Sequence, residues 1–158
     1  MEIADVINIV LLFITAIGVF AAFRQISISN KQKRADLILK LYQDFSNDLD
    51  MQDIYYQIEY GQFNYEPNVF HMSENEKKLD KLLGQFSNIG QLYQMSILKS
   101  KDLDFIKYEF QVIYETPGVQ DYFQTLDHWF ERRQISHKKF QPFRDVGELI
   151  TQKNYNGK

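Results

Sequence analysis

Val6-Ile7-Asn8-Ile9-Val10-Leu11-Leu12-Phe13-Ile14-Thr15-Ala16-Ile17-Gly18-Val19-Phe20-Ala21-Ala22-Phe23, closed by Arg24 and then by Lys31, Lys33 and Arg34, decides how this chain folds. The run is 18 residues without a charge, and only Asn8, Thr15 and Gly18 interrupt its aliphatic and aromatic side chains. As a helix rising 1.5 Å per residue it is roughly 27 Å long, close to the thickness of a hydrocarbon core. Glu2 and Asp5 lie before it, and the cations lie after it. A secretory signal opens on a basic segment, so this acidic opening points to a retained anchor. The Lys/Arg asymmetry places residues 24 onward in the cytoplasm and the N-terminus outside. The expected organisation is a transmembrane helix with its basic stop over residues 1–34, a cytoplasmic helical bundle over 35–151 and a flexible tail over 152–158.

One face of the span differs from the rest. Asn8, Leu11, Thr15, Gly18 and Ala22 follow one another at helical spacing, which makes that face small and polar. In lipid, small residues allow close helix approach, and an Asn or Thr seeks an interhelical partner or water. A single span cannot supply that partner itself. Self-association follows, as a tight helix bundle or as a ring whose polar face lines a lumen. A lone anchor with Asn8 near the interface is the simpler alternative.

Beyond the anchor, helical periodicity continues. Ile38, Leu41, Tyr42, Phe45 and Leu49 extend the first helix as a stalk, with a break at Ser46-Asn47-Asp48. Met51, Ile54, Tyr55 and Ile58 form a second stripe ending near Gly61. Residues 61–72 read as a loop. Ser73-Glu74-Asn75-Glu76 matches the capping box, and the helix it opens carries Leu79, Leu82, Leu83, Phe86, Ile89 and Tyr93. Leu103, Ile106, Phe110, Ile113 and Tyr114 follow a polar turn at Lys99-Ser100-Lys101. Thr116-Pro117-Gly118 restarts a helix with Val119, Tyr122, Phe123, Leu126 and Trp129 or Phe130 on its apolar stripe. Pro142 begins a last short helix with Phe143, Val146 and Ile150. No segment sustains two-residue alternation, so the class is all-α, an antiparallel bundle of five or six helices. With 13 Phe, 10 Tyr and 1 Trp the bundle has ample core material.

Chemistry is sparser. The chain has no Cys, which excludes disulfides, thiolate metal sites and a Cys nucleophile. It also lacks a Gly-rich phosphate loop, an HExxH pair, a serine elbow and an EF-hand loop, so no cofactor or metal is expected. Asp48, Asp50 and Asp53, and Asp102 with Asp104, read as solvated helix ends. Asp127 and His128 are adjacent on a helix and point apart. His71 stands in a polar loop with no visible partner. Charge is concentrated in one place: Arg132, Arg133, Lys138, Lys139 and Arg144 face only Glu131 within residues 131–144, in a chain of net charge -3.

Within that segment, Arg132-Arg133-Gln134-Ile135-Ser136-His137 is an Arg-x4-His pair. Histidine can shuttle a proton and arginine can hold a scissile phosphate. The spacing resembles the Arg-x4-6-His signature of HEPN-type RNases, whose helical bundles dimerise to join two such motifs. Arg133 stands where that family usually carries Asn, Asp or His, so the resemblance implies a degenerate motif used in structure or binding. The whole layout is similar to the Csx-type accessory membrane proteins encoded beside type VI-B RNA-guided RNases. The segments Phe86–Tyr93 and Leu103–Ile106 also look like a broader group of uncharacterised bacterial membrane-anchored helical proteins. That resemblance implies a divergent HEPN-like fold, a bacterial inner-membrane location and an oligomeric pore that enhances RNA-guided antiphage defence. The expected partners are membrane lipid, further copies of the chain, and an RNA-guided RNase complex or RNA. Two alternatives stay open: a membrane-tethered RNA-binding or RNase module using residues 131–144, and an anchor that recruits a cytoplasmic partner.

Overall fold

Helix is the only regular structure among the described residues of the computed structural model, which describes residues 3–155. The side chains of residues 4–7, 9, 10 and 153–155 fall outside that description, so the acidic flank of Glu2 and Asp5 expected from the sequence does too. The elements are α1 (Ile3–Ser46), α2 (Leu49–Glu59), α3 (Pro67–Phe70), α4 (Glu74–Gln94), α5 (Lys107–Glu115), α6 (Pro117–Arg132) and α7 (Gln141–Tyr155), with a 3-10 turn at Ser100–Leu103. The chain divides into two units between Leu39 and Lys40, inside α1.

The first unit is the N-terminal part of α1. Every side chain from Leu11 to Ile28 is exposed. Within Leu11–Ser46 an 18-residue window has a mean hydropathy of 1.9, and none of it is buried by the protein. This is one candidate membrane span near the N-terminus. Arg24 interrupts the apolar surface, as a stop sequence does.

The second unit has its own core. Leu41 and Phe45, from the last turns of α1, are buried with Met51, Ile54, Tyr55 and Ile58 of α2. Helix α4 is central, packing against α2 and α7, and α5 packs on α7, α2 and α6. Leu79, Leu82, Leu83, Phe86 and Ile89 of α4 have no solvent exposure. Aromatic rings run through this core in edge-to-face and stacked contacts: Phe45 to Phe86 at 5.4 Å, Phe86 to Phe110 at 4.9 Å, and Phe110 to Phe143 at 5.3 Å. Such pairs add about 0.5–1.5 kcal/mol each beyond the area they bury, and here they tie α1, α4, α5 and α7 together.

The local signals hold with specific corrections. Asp48 caps α2, accepting the Met51 N–H at 3.1 Å, and Gly61 takes the left-handed φ of 67° that ends the segment. The loop at 61–72 contains a helical turn, α3, because Pro67 needs no N–H partner in a first turn and the Glu66 carbonyl accepts from Val69 and Phe70. Only half of the capping box forms. Ser73 Oγ accepts the Glu76 N–H at 3.1 Å, while the Glu76 carboxylate turns away to Met72 and His71. Thr116 begins α6, yet its hydroxyl donates backward to the Val112 carbonyl at 2.7 Å, so only its carbonyl serves the new helix. Tyr93, Tyr114 and Leu126 are half-buried, and Trp129 is 39% exposed, so the α4, α5 and α6 stripes fade at their ends. The last helix is longer than expected and runs into the polar tail as far as Tyr155; residues 156–158 lie outside the described ones. The acidic clusters are also more than solvated ends. Lys81 bridges Asp48 (2.7 Å) and Asp50 (3.0 Å), and Lys78 meets Asp53 at 2.5 Å, which ties α2 to α4.

Candidate functional site

A hydrogen-bonded chain of polar side chains joins the α3–α4 corner to α6 and the α6–α7 loop. Its geometry starts from backbone. Met72 takes a positive φ of 65°, which turns the chain sharply between α3 and the Ser73 cap. Glu76, in the first turn of α4, then reaches back, accepting the Met72 N–H at 2.5 Å and contacting His71 Nδ1 at 2.9 Å. On its other side His71 Nε2 lies 3.2 Å from the Tyr65 hydroxyl. Tyr122 of α6 is fully buried, and its hydroxyl donates to Asp80 at 2.7 Å and to Glu76 at 3.3 Å. Asp80 in turn accepts from Lys139 Nζ at 2.6 Å.

The electrostatics follow from these contacts. Burial pushes the Tyr122 hydroxyl well above its ordinary range, and the Asp80 carboxylate adds to that, so the phenol stays a donor. Burial also raises Glu76, but the hydrogen bonds from His71, Met72 and Tyr122 outweigh it and hold the carboxyl below its ordinary value. His71, read from the sequence as a loop residue without a partner, is therefore paired on both ring nitrogens. The sequence signal for this pairing is Glu76, five residues on, a residue that the capping-box pattern also claims.

Beside this chain opens a cavity of about 810 Å³, lined in part by His71, Glu76, Trp129, Phe130, Arg132 and Lys139. Two members of the basic segment thus meet a histidine and a glutamate from the opposite corner. His137 does not line it. Helix α6 ends at Arg132, Gln134 takes a left-handed φ of 58°, and His137 lies exposed in the loop that follows. Arg132 closes α6 and His137 stands in the loop beyond it, so the two side chains leave on different elements.

The rest of the basic segment is mostly neutralised across helices. Arg144 pairs with Asp127 at 2.7 Å, the two side chains 12% and 20% exposed, and its guanidinium lies 4.2 Å from the centre of the Phe123 ring. Lys138 approaches the same carboxylate at 3.5 Å. Burial raises Asp127, and Arg144 and Lys138 more than offset it, so its carboxyl sits below the usual range. Arg133 stacks over Trp129 at 4.2 Å. Arg132 has no carboxylate within ion-pair distance among the described residues. In the first unit, Asn8, Leu11, Thr15, Gly18 and Ala22 are all exposed, and Thr15 Oγ1 donates to the Leu11 carbonyl at 2.8 Å within its own helix. Among the described residues no cluster of three or more His, Asp or Glu is placed to hold a metal ion. No protein-family model, curated protein or solved structure matches this chain.

Proposed function

We propose that this protein is a single-pass protein of the bacterial inner membrane, N-terminus outside and helical domain in the cytoplasm, that assembles with copies of itself into a membrane pore. On the family resemblance, that pore enhances RNA-guided antiphage defence as an accessory to an RNA-targeting RNase complex. One observation carries the membrane part: α1 exposes Leu11, Leu12, Phe13, Ile14, Ile17, Phe20 and Phe23 with no protein covering any of them. A surface this apolar is stable only against lipid or another chain. The small face through Asn8 and Gly18 supports assembly, since in lipid a glycine lets a neighbouring helix approach closely. Asn8 carries more of the polar argument than Thr15, whose hydroxyl is satisfied within the helix.

The ribonuclease alternative draws less support. A metal-independent RNase needs its proton shuttle and its phosphate clamp converging on one bond, and here they leave on different elements. Lys138, Lys139 and Arg144 are engaged with Asp127 and Asp80, which leaves little free charge to track an RNA backbone.

The native mass of the detergent-extracted protein, with ion flux in proteoliposomes, tests the proposal. The expected result is an oligomer that conducts, with flux lowered by Asn8→Leu and less affected by Thr15→Leu. A monomer, or vesicles that stay tight around inserted protein, would remove the pore and leave an anchor that recruits a cytoplasmic partner. Protease added to intact cells tests topology separately, and digestion of the helical domain would reverse the orientation.

A further inference from the structure

The α6 cavity combines features that neither anchoring nor pore formation uses. Its volume, about 810 Å³, lies in the range of pockets that hold small ligands. Trp129 and Phe130 form an aromatic wall, their rings 5.1 Å apart and edge to face, and Trp129 keeps 39% of its surface uncovered despite the Arg133 guanidinium over it. Arg132 sits at the same cavity with no ion-pair partner among the described residues. The other two charged groups are committed, Lys139 to Asp80 and Glu76 to His71, Tyr122 and the Met72 N–H. Arg132 is therefore the charged lining group with no hydrogen-bond or ion-pair partner for its side chain among the described residues, and the complement of a guanidinium is an anion.

The polar lining narrows the class further. Both ring nitrogens of His71 are taken, and Glu76 is engaged by His71, Tyr122 and the Met72 N–H, so Asn68 and Arg132 are the polar groups left to meet a ligand. An acyl chain would meet neither and would set no flat group against Trp129. A bare phosphate would leave the aromatic wall unused. A flat heterocycle carrying a phosphate satisfies all three elements: ring against Trp129 and Phe130, a polar ring edge toward Asn68, and phosphate on Arg132 in the forked geometry guanidinium favours. We infer that this cavity is a binding site for a free nucleotide, with Arg132 holding the phosphate and Trp129 the base. The site belongs to the helical domain alone, so its success or failure is independent of the pore.

The chain reports on this site directly, because Trp129 is its 1 tryptophan. Full-length protein in detergent is titrated with adenosine and uridine monophosphates, the unphosphorylated nucleosides, inorganic phosphate, dodecanoate and a single-stranded RNA oligonucleotide. Binding is read by Trp129 fluorescence and by calorimetry. The expected result is saturable binding of at least one nucleoside monophosphate, with its nucleoside and inorganic phosphate each about tenfold weaker or more. Arg132→Ala should weaken that binding about 10- to 100-fold, the scale of a lost charge-assisted hydrogen bond. Lys101→Ala, an exposed lysine in the 3-10 turn away from the cavity, should leave it unchanged. Lack of binding, or wild-type binding by Arg132→Ala, overturns the inference. Tighter binding of dodecanoate, of phosphate alone, or of RNA over the mononucleotides overturns it as well, in favour of a lipid, a simple anion or a strand.

Discussion

Gly90 on α4 lies against the main chain of Pro142 on α7: a methyl group at Gly90 would sit 2.7 Å from the Pro142 carbonyl carbon and closer still to its oxygen. Backbone cannot swing aside as a side chain does, so this contact sets how closely α7 approaches the central helix. Gly90→Ala should lower stability by about 1–3 kcal/mol, overpacking outweighing the gain in helix propensity. Gly84, on the same helix, has nothing within 4 Å. Gly84→Ala should therefore raise stability by about 0.5–1 kcal/mol. Thermal or denaturant unfolding followed by circular dichroism separates the two, and equal effects would mean that α7 does not pack there.

The two helix starts make unequal use of their hydroxyls. Ser73 Oγ satisfies the Glu76 N–H, so Ser73→Ala should cost about 1 kcal/mol. The Thr116 hydroxyl is turned back to Val112, so Thr116→Ser, which keeps it, should be close to neutral. Thr116→Ala should lose about 0.5 kcal/mol, the low end for one partly exposed hydrogen bond. The same unfolding assay checks the order, and a larger loss at Thr116 than at Ser73 would contradict it.

Among the described residues four carboxyls, Asp48, Asp53, Glu76 and Asp127, are held below their ordinary values, and the two best covered, Glu76 and Asp127, should carry most of the loosening in acid. Glu76 and Asp127 are both held below their ordinary values in the folded state. Each binds fewer protons folded than unfolded, so its contribution is complete above the unfolded range near pH 4 and is lost as pH falls through the lower folded value. Stability measured from pH 7 down to about pH 3 should fall on that limb, and Glu76→Gln with Asp127→Asn should flatten it. A parallel acid limb in the double variant would locate the effect elsewhere. Asp127→Ala should be harsher at pH 7, about 2–3 kcal/mol, because it strands a guanidinium that is 12% exposed.

His137 and Arg132 are exposed at or after the end of α6. Replacing either with alanine should change stability by no more than about 0.5 kcal/mol. Purified protein should show no metal-independent RNA cleavage above background. Robust cleavage lost in both variants would reinstate the pair as catalytic.

What the sequence determined by itself was local. The uncharged run from Val6 to Phe23, the stripes of α2 and α4, and the cap at Ser73 are all written in residues three or four apart, the range over which a helix feels its neighbours. Those patterns were enough for an all-helical chain with one long apolar N-terminal helix. Tertiary structure alone decided the pairings: Lys139 with Asp80 across 59 residues, Tyr122 with Glu76 across 46, and Arg144 with Asp127 across 17. It also converted a basic segment into a largely neutralised one, set Arg132 at a cavity that His71 also lines, and left His137 outside. The reason is that ion pairing and cavity lining depend on the axial stagger and rotation of packed helices. Those are set by the whole core, down to the bare backbone at Gly90, and no periodicity along a single helix encodes them.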